Sequence, residues 1–425
     1  MRTIYSPGEL LKRTKSAFIW TRVLGIPFWG MIYLLSVILY KNMHITPLQI
    51  TLIITLKPMS ALFAPYWSQV IYKRPDRVLS NLIWANILRY LPFLFVPWIN
   101  SPWIIIIAFG FYMMFYRGVM PAWMETVKCN LPEASREKLV ASGSIIDYCG
   151  TAVLPLILGL VLDKYETSWR WLFPLTAGIG LVSTIFLYLL PVRKAYNQPT
   201  QNFSSLSHYL KAQLVKPWIE SWRLIRINPN FSNFQIGFML GGAGLMILQP
   251  ALPMFFVDIL NLSYTKLLLA LAVFKGIGFA LATPLWVRLF RRWDIYYFSG
   301  IVTSLAALFP FLLLFAKLHV ILLYAAYGLY GVMQAGSELS WHMSGPAFAK
   351  ENDSTIFSGT NVLTVGIRGC IIPPLGALLY TATNSAVVMF TGALLCLLAT
   401  AHLVRYSFLT REKLENKDTV HHLES

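Results

Sequence analysis

Residues Ile50 to Arg77 read ITLIITLKPMSALFAPYWSQVIYKRPDR, an apolar run that is interrupted by Lys57 and closed by a basic turn. The same order of features returns about 218 residues later, as Lys275, then Pro284-Leu285-Trp286, then Arg291-Arg292-Trp293-Asp294. A buried cation, a Pro-x-Trp and a basic turn, repeated in that order, indicate a duplicated membrane protein.

The composition excludes a soluble protein. Of the 425 residues 56% are hydrophobic and 12% are charged, and the mean hydropathy is +0.59. A soluble domain carries about 25% charged residues, so this chain lacks the polar surface to face water on all sides. We assign the net charge of +17 to loops that orient the chain, and we expect no nucleic-acid partner. The cysteines lack paired spacing, so we expect no disulfide frame, metal site or cofactor.

Twelve apolar runs are long enough to cross a bilayer, which takes about 20 residues per helix. We expect the spans at 17–40, 46–72, 79–99, 102–127, 138–163, 169–191, 231–258, 263–290, 296–316, 319–347, 355–381 and 385–408. Open strands cannot cross lipid, and the runs show no period-two pattern. The sequence therefore predicts an all-α membrane protein.

The loops after the even-numbered spans are basic, whereas the opposite loops are short and nearly neutral. The positive-inside rule then places both termini in the cytoplasm. We expect the chain in the cell membrane, which is the inner membrane if the source is a Gram-negative bacterium, with membrane lipids around it.

Segment 192–230 separates two predicted six-helix bundles, 1–191 and 231–409. Within this segment SHYLKAQLVKPWIESWRLIRI alternates apolar and basic residues at helical spacing, so we expect a linker helix along the cytoplasmic membrane surface. The tail 410–425 is polar and charged, and it is predicted to be disordered.

Further pairs of residues recur at the same spacing in the two halves. Trp123 corresponds to Trp341, and Ser142-Gly143 corresponds to Ser358-Gly359. Two parallel six-helix halves joined by a long cytoplasmic loop resemble the major facilitator superfamily over essentially the whole chain. The resemblance implies twelve transmembrane helices in two parallel-repeat bundles, alternating access around a midplane cavity, and a monomer.

The family's motifs are present in altered form. The family's loop between spans two and three carries an acid that makes a gating contact, but Gln69 stands at that position here. In span four Arg117 matches the arginine of the Arg-x-x-Gln-Gly motif of proton-coupled members, whereas Met120 and Pro121 replace the last two residues. The candidate cytoplasmic gating residues are Gln69, Lys73, Arg74, Asp76, Arg77, Arg288, Arg291, Arg292 and Asp294.

Lys57 and Lys275 are the first candidates for a binding site. A charge at membrane depth costs on the order of 3 kcal/mol, so each lysine needs a partner. Repeat-related positions in this fold face one another across the cavity, and two ammonium groups there repel unless an anion lies between them. The alternative is that each lysine pairs with an acid or caps carbonyl groups within its own half.

A polar stripe on span ten is the candidate for cavity lining and proton exchange. Gln334, Glu338, Trp341 and His342 follow helical spacing. Glu338 and His342 are the titratable members. The alternative is that Glu338 is a permanently ionised partner of Lys275 or Arg368.

Other intramembrane charges leave their pairing open. Asp147 in span five is expected to form a structural salt bridge with Arg89 or Arg117, and the alternative is that these residues belong to a substrate site or couple protons. Arg368 either belongs to the anion site or is the counter-ion of Glu338. Trp123 and Trp341 are the tryptophans that we expect to contact the substrate.

No catalytic set is present, so we expect a transporter and no enzyme. The excess of intramembrane cations over acids predicts a small organic anion as the cargo of a secondary transporter, with protons as a coupling ion. One alternative is an efflux antiporter for drugs and other amphiphiles. Another is a transporter-like receptor or scaffold.

Overall fold

The computed structural model of the chain describes residues 6–62, 77–165, 167–190, 206–349 and 354–424. Within these ranges all regular secondary structure is helical. A bilayer offers no water to unpaired backbone groups, so an apolar chain must satisfy its N–H and C=O groups within each segment, as a helix does. The prediction of an all-α membrane protein is confirmed.

The helices of the first half begin at Pro7. Helix α1 (Pro7–Tyr33) meets α2 (Leu35–Met43) at a bend of 47°. Thr46 starts the next helix, because its hydroxyl accepts the N–H of Gln49 while the Gln49 side chain accepts the N–H of Thr46. The remaining elements are α3 (Pro47–Ala61), α4 (Val78–Tyr90) with the 3₁₀ helix Leu91–Trp98, α5 (Pro102–Asn130), α6 (Glu133–Lys164) and α7 (Ser168–Tyr188).

The second half follows helix α8 (Leu206–Ile227), which runs through the segment predicted as the linker helix. Its first elements are α9 (Pro229–Leu248), α10 (Leu252–Met254) with a π-helical turn at Phe255–Ile259, and α11 (Tyr264–Leu268) with a π-helical turn at Leu269–Phe274. The others are α12 (Lys275–Phe290), α13 (Ile295–Phe315), α14 (Val320–Ala349), α15 (Ser354–Ala382) and α16 (Ser385–Glu424).

Among the described residues, nine helices are long and apolar enough to cross a membrane, or ten if the bent pair α1 and α2 forms one span. Two of the twelve predicted spans are not among these ten. One is 46–72, of which the structure describes the part that forms α3, and the other is 138–163, which lies within α6. Both are helical where they are described. Twelve crossings therefore remain the prediction from the sequence.

The C-terminal segment differs from the sequence prediction. A disordered tail is predicted from residue 410, whereas α16 continues to Glu424. The tail begins TREKLENKD, which is rich in the good helix formers Glu, Lys and Leu. Because these residues extend a helix that already exists, they do not bear the cost of nucleating one.

The chain forms two compact units. Unit 1 contains Met1–Tyr209 and Leu262–Leu268, and unit 2 contains Leu210–Asn261 and Leu269–Ser425. Helix α11 packs with unit 1 because Asp163, at the end of α6, caps it. The Asp163 carboxylate accepts the backbone N–H groups of Tyr264 (2.7 Å) and Thr265 (2.8 Å).

Aromatic side chains form the core of unit 1. Phe28 on α1 lies edge-on to Phe93, with ring centroids 4.8 Å apart, and 4.9 Å from the ring of Tyr112 on α5. All three side chains are fully buried. Such offset and edge-on contacts add to the burial of large rings, so they fix α1 against α4 and α5.

In unit 2, small residues let α9 and α16 approach closely. A Cβ atom on Gly244 would collide with the carbonyl oxygen of Gly392 and with Cys396 on α16. Lipid tails are as apolar as side chains, so membrane helices associate through close packing of this kind. The sequence predicts this role from the small residues Gly237, Gly241, Gly242 and Gly244.

Candidate functional site

Each unit contains a cavity of about 180 Å³. Liquid water occupies about 30 Å³ per molecule, so each cavity has room for a small ligand fragment. The two cavities use repeat-related positions. Gly25 and Tyr112 line the cavity of unit 1, and their counterparts Gly242 and Tyr330 line that of unit 2. The sequence repeat therefore produces the same hollow in each half.

The cavity of unit 1 is aromatic and charged. Trp29 stacks on Tyr116 with ring centroids 4.9 Å apart, and Tyr116 stacks on Tyr112 at 6.0 Å. Trp123, predicted to contact the substrate, is buried in the wall edge-on to Phe18. The charged and aromatic lining residues are Arg22, Trp29, Arg89, Tyr90, Tyr112, Tyr116, Trp123 and Asp147.

Asp147 on α6 forms an ion pair with Arg22 on α1. The prediction that Asp147 pairs with Arg89 or Arg117 is therefore wrong. The Arg22 side chain is 19% exposed and that of Asp147 is 45% exposed, so the carboxylate stays open to the cavity. Arg117 is exposed on α5. Arg22 is not among the residues predicted from the sequence, although a cation in the first span is a signal that indicates such a residue.

Arg89 is the most buried cation of this cavity, with 7% of its surface exposed. Its Nη2 donates to Asn86 Oδ1 at 2.5 Å, and its guanidinium lies 4.5 Å from the centre of the Tyr90 ring. Asn86 in turn donates to Ser183 at 3.0 Å and to Thr184 at 2.8 Å, which fixes the network against α7. The Arg89 Nε–H is buried and has no hydrogen-bond partner among the residues that the structure describes. A buried charged donor without a partner is costly, so a rearrangement of the side chain that brings this Nε–H to an acceptor would be favourable.

Arg368 on α15 has the corresponding property in unit 2. It is 8% exposed, and its Nη1 donates to the carbonyl oxygen of Phe238 at 2.8 Å. Its Nε–H is also buried, and the described part of the chain offers it no hydrogen-bond partner. The guanidinium occupies the space that a Cβ atom on Gly242 would fill. Arg368 and Glu338 are both described by the structure, and they do not form the ion pair that is predicted as one alternative.

Hydroxyl groups replace aromatic rings in much of the unit 2 cavity. The hydroxyl oxygens of Ser299 and Ser340 lie 2.9 Å apart and share a hydrogen bond. The hydroxyl oxygens of Thr303 and Thr400 share a second one, also at 2.9 Å. The polar lining residues are Gln249, Ser299, Thr303, Tyr330, Ser337, Ser340 and Arg368. The two cavities therefore match in position and differ in chemistry.

The polar stripe on α14 divides into two parts. Gln334 Nε2 donates to Glu338 Oε1 at 3.1 Å, and Gln334 Oε1 is buried with no hydrogen-bond partner within the described ranges. Trp341 packs on Phe238, a lining residue of the unit 2 cavity, with ring centroids 5.8 Å apart. His342 is exposed. Trp341 therefore supports the cavity wall, and Gln334 holds the Glu338 carboxylate.

The two lysines lie in different units, and both are half-buried. Lys275 Nζ lies 5.3 Å from the centre of the Tyr330 ring, which lines the unit 2 cavity. The backbone carbonyl of Lys57 accepts the hydroxyl of Ser60 at 2.8 Å. An anion held between the two lysines stays a prediction.

The candidate gating residues that the structure describes are either a helix cap or exposed side chains. Asp294 caps α13 by accepting the N–H groups of Tyr296 (3.0 Å) and Tyr297 (2.9 Å), and it accepts the hydroxyl of Ser407 at 2.7 Å. This carboxylate therefore has a structural role. Four exposed arginines are Arg77, Arg288, Arg291 and Arg292. Gln69, Lys73, Arg74 and Asp76 lie outside the described residues.

The chain resembles known membrane transporters in sequence pattern and in fold. The sequence profile described as the Major Facilitator Superfamily matches residues 18–366. A comparison with curated proteins finds no match.

Similar solved structures include the nucleoside transporter NupG, at 14% identity and a TM-score of 0.61, covering 93% of this chain and 98% of that one. A POT family transporter in complex with 5-aminolevulinic acid has 13% identity and a TM-score of 0.68, covering 93% and 96%. A bacterial homologue of the human lysosomal transporter Spinster, inward-facing and unoccupied, has 13% identity and a TM-score of 0.63, covering 94% and 95%. At these identities the likeness concerns the fold.

Proposed function

Because the chain belongs to the Major Facilitator Superfamily and is therefore a secondary transporter in the membrane, we propose that its cargo is a small organic anion. The observation that supports this cargo is the pair of buried arginines, Arg89 in one unit and Arg368 in the other. Each lines its cavity and keeps an Nε–H that has no partner among the described residues. A carboxylate or phosphate in the cavity would supply the missing acceptor once the side chain turns toward it, and arginine suits such groups because its donors form a planar fork.

The energy of this contact is large enough to select the cargo. A hydrogen bond between charged groups contributes about 1.5–3 kcal/mol, which corresponds to roughly 10-fold to 100-fold in affinity. A neutral analogue forms a weaker hydrogen bond to an arginine, because its acceptor oxygen carries no charge. Lys57 and Lys275 belong to the proposal as further cations, and Trp123, Trp341 and Gln334 as substrate contacts. The POT family neighbour solved with 5-aminolevulinic acid binds a carboxylic acid, which is compatible with such a cargo.

Proton coupling is proposed at the Arg22–Asp147 pair. An anionic substrate that approaches Arg22 competes with the Asp147 carboxylate, which already faces the cavity. Once displaced, the carboxylate loses its cation and gains from taking up a proton. Glu338 and His342 are the second candidates for this step. Substrate and proton would then cross together as the protein alternates between its two open states.

The test is tracer uptake into proteoliposomes with labelled organic anions, in the presence and absence of a proton gradient. Arg89→Gln and Arg368→Gln are each expected to reduce uptake at least 10-fold. Arg405→Gln removes an exposed arginine on α16 and is the matched control. If both buried-arginine variants fold, as judged by gel filtration and thermal unfolding, and carry the anion at the wild-type rate, the proposal is wrong. Tracer flux also separates a carrier from a receptor or scaffold.

A second candidate function is efflux of amphiphilic compounds. The stacked rings of Trp29, Tyr116 and Tyr112 favour it, because aromatic walls bind flat apolar molecules and cations. Cells that express the protein would then survive higher concentrations of cationic dyes. Trp29→Ala would remove that protection, while Arg368→Gln would leave it unchanged.

A further inference from the structure

Helix α8 (Leu206–Ile227), which belongs to unit 2 from Leu210 onward, packs one of its faces on the rest of that unit. Ser221 accepts the hydroxyl of Thr360 at 3.0 Å. Leu224 and Ile225, three and four residues further on, pack against a buried cluster. The cluster consists of Phe231, Ala349 and Phe357. These positions share one face of the helix, so that face is an internal contact.

The buried cluster locates α8 at the ends of the membrane helices. Phe231 lies in the first turn of α9, Ala349 is the last residue of α14, and Phe357 lies in the first turn of α15. Only Asn228 separates α8 from α9, and its side chain caps α9 by accepting the N–H of Phe231 at 3.0 Å. Three helices long enough to cross the membrane therefore meet α8 at their ends. The ends of membrane-spanning helices are expected near the lipid headgroups.

The outer side of α8 is exposed and combines apolar with basic residues. Ile219 is 61% exposed and Trp222 59%, whereas Trp218, seven residues before Ile225, lies at the edge of the inner face and is 39% exposed. Arg223 and Arg226 are exposed beside them. The Arg226 guanidinium lies 5.2 Å from the centre of the Trp222 ring. Tryptophan and arginine side by side are typical of the membrane–water interface, where an indole contacts the acyl chains and a guanidinium contacts phosphate.

We propose that this outer face of α8 binds anionic phospholipid headgroups at the bilayer surface. At 22 residues the helix is long enough to cross a membrane, but its charged residues exclude it from the hydrocarbon core. Its inner face is occupied by unit 2, and its outer face meets the bilayer that surrounds the ends of α9, α14 and α15. The positive charge of Arg223 and Arg226 selects anionic over zwitterionic lipid. This inference does not depend on the identity of the cargo.

The first test is a titration of the purified full chain in detergent with short-chain phosphatidylglycerol or phosphatidylcholine, followed by thermal unfolding. Each arginine near an anionic surface contributes about 5-fold in affinity, so Arg223→Gln with Arg226→Gln is expected to weaken phosphatidylglycerol binding about 30-fold. Lys164→Gln with Lys266→Gln removes the same charge from exposed lysines of unit 1 and is the matched control. An unchanged affinity in the arginine variant, or an equal loss in the control, would overturn the proposal.

The second test locates the face in liposomes by fluorescence quenching with phospholipids brominated near the headgroup end of the acyl chain. Trp218→Phe with Trp222→Phe removes two of the 14 tryptophans and is expected to remove part of the quenchable signal. Trp169→Phe, which removes a buried tryptophan, is expected to leave that signal unchanged. If the double variant retains the full quenchable signal, or if cross-linking finds α8 against a second copy of the chain, the face does not bind lipid.

Discussion

Substitution of Gly242 by alanine tests how the fold holds the Arg368 guanidinium. The new Cβ atom would occupy the position of the guanidinium, which would have to leave the carbonyl oxygen of Phe238. Loss of that charged hydrogen bond costs about 2 kcal/mol. Replacing a helical glycine by alanine contributes about 1 kcal/mol in the opposite sense. We therefore expect Gly242→Ala to lower the free energy of unfolding by about 1 kcal/mol.

Gly276 provides the matched control, because a Cβ atom there meets nothing within 4 Å. Gly276→Ala is expected to raise the free energy of unfolding by about 1 kcal/mol, so the two variants should differ by about 2 kcal/mol. Denaturant unfolding in micelles measures this difference, and uptake assays measure the accompanying loss of anion transport. In an Arg368→Gln background the cost at Gly242 should largely disappear. Equal stability of the two alanine variants would refute the reasoning about Arg368.

Three further substitutions test carboxylates with assigned partners. Asp147→Asn leaves Arg22 without its counter-ion. We expect the variant still to exchange anions across the membrane but no longer to accumulate them in response to a proton gradient. Accumulation of the anion at the wild-type level would contradict a role of Asp147 in proton coupling. Asp163→Ala removes two hydrogen bonds at the start of α11, and we expect a loss of about 1–2 kcal/mol in the free energy of unfolding; a stability within about 0.3 kcal/mol of wild type would refute the cap. Asp294→Ala removes the cap of α13, and we expect it to lower the free energy of unfolding by about 1 kcal/mol with little change in transport. A large loss of transport at wild-type stability would instead assign Asp294 to gating.

The class of the fold could be read from the sequence because its signals are local or repeated. Apolar runs of about 20 residues mark helices wherever they occur. The duplication around Lys57 and Lys275 marks two equivalent halves without any knowledge of contacts. The structure shows the same repeat in three dimensions, since Gly25 and Gly242 line equivalent cavities.

The pairing of charges could not be read in the same way. Arg22 and Asp147 are 125 residues apart, and their contact depends on how α1 and α6 are rotated about their axes. Arg368 had two candidate partners in the sequence, but it donates to a backbone carbonyl in a space that exists only because residue 242 is glycine. Such spaces arise from helix packing, so no pattern along the chain records them.

A thermal-shift comparison of small carboxylic acids with their amides tests whether the cavities of Arg89 and Arg368 select an organic anion. The pairs have nearly the same shape and differ in charge, and wild-type protein is compared with the Arg89→Gln and Arg368→Gln variants. We expect at least one acid to stabilise wild-type protein while its amide does not, and each arginine substitution to weaken that stabilisation. Equal stabilisation by acids and amides, unaffected by either substitution, would contradict the account.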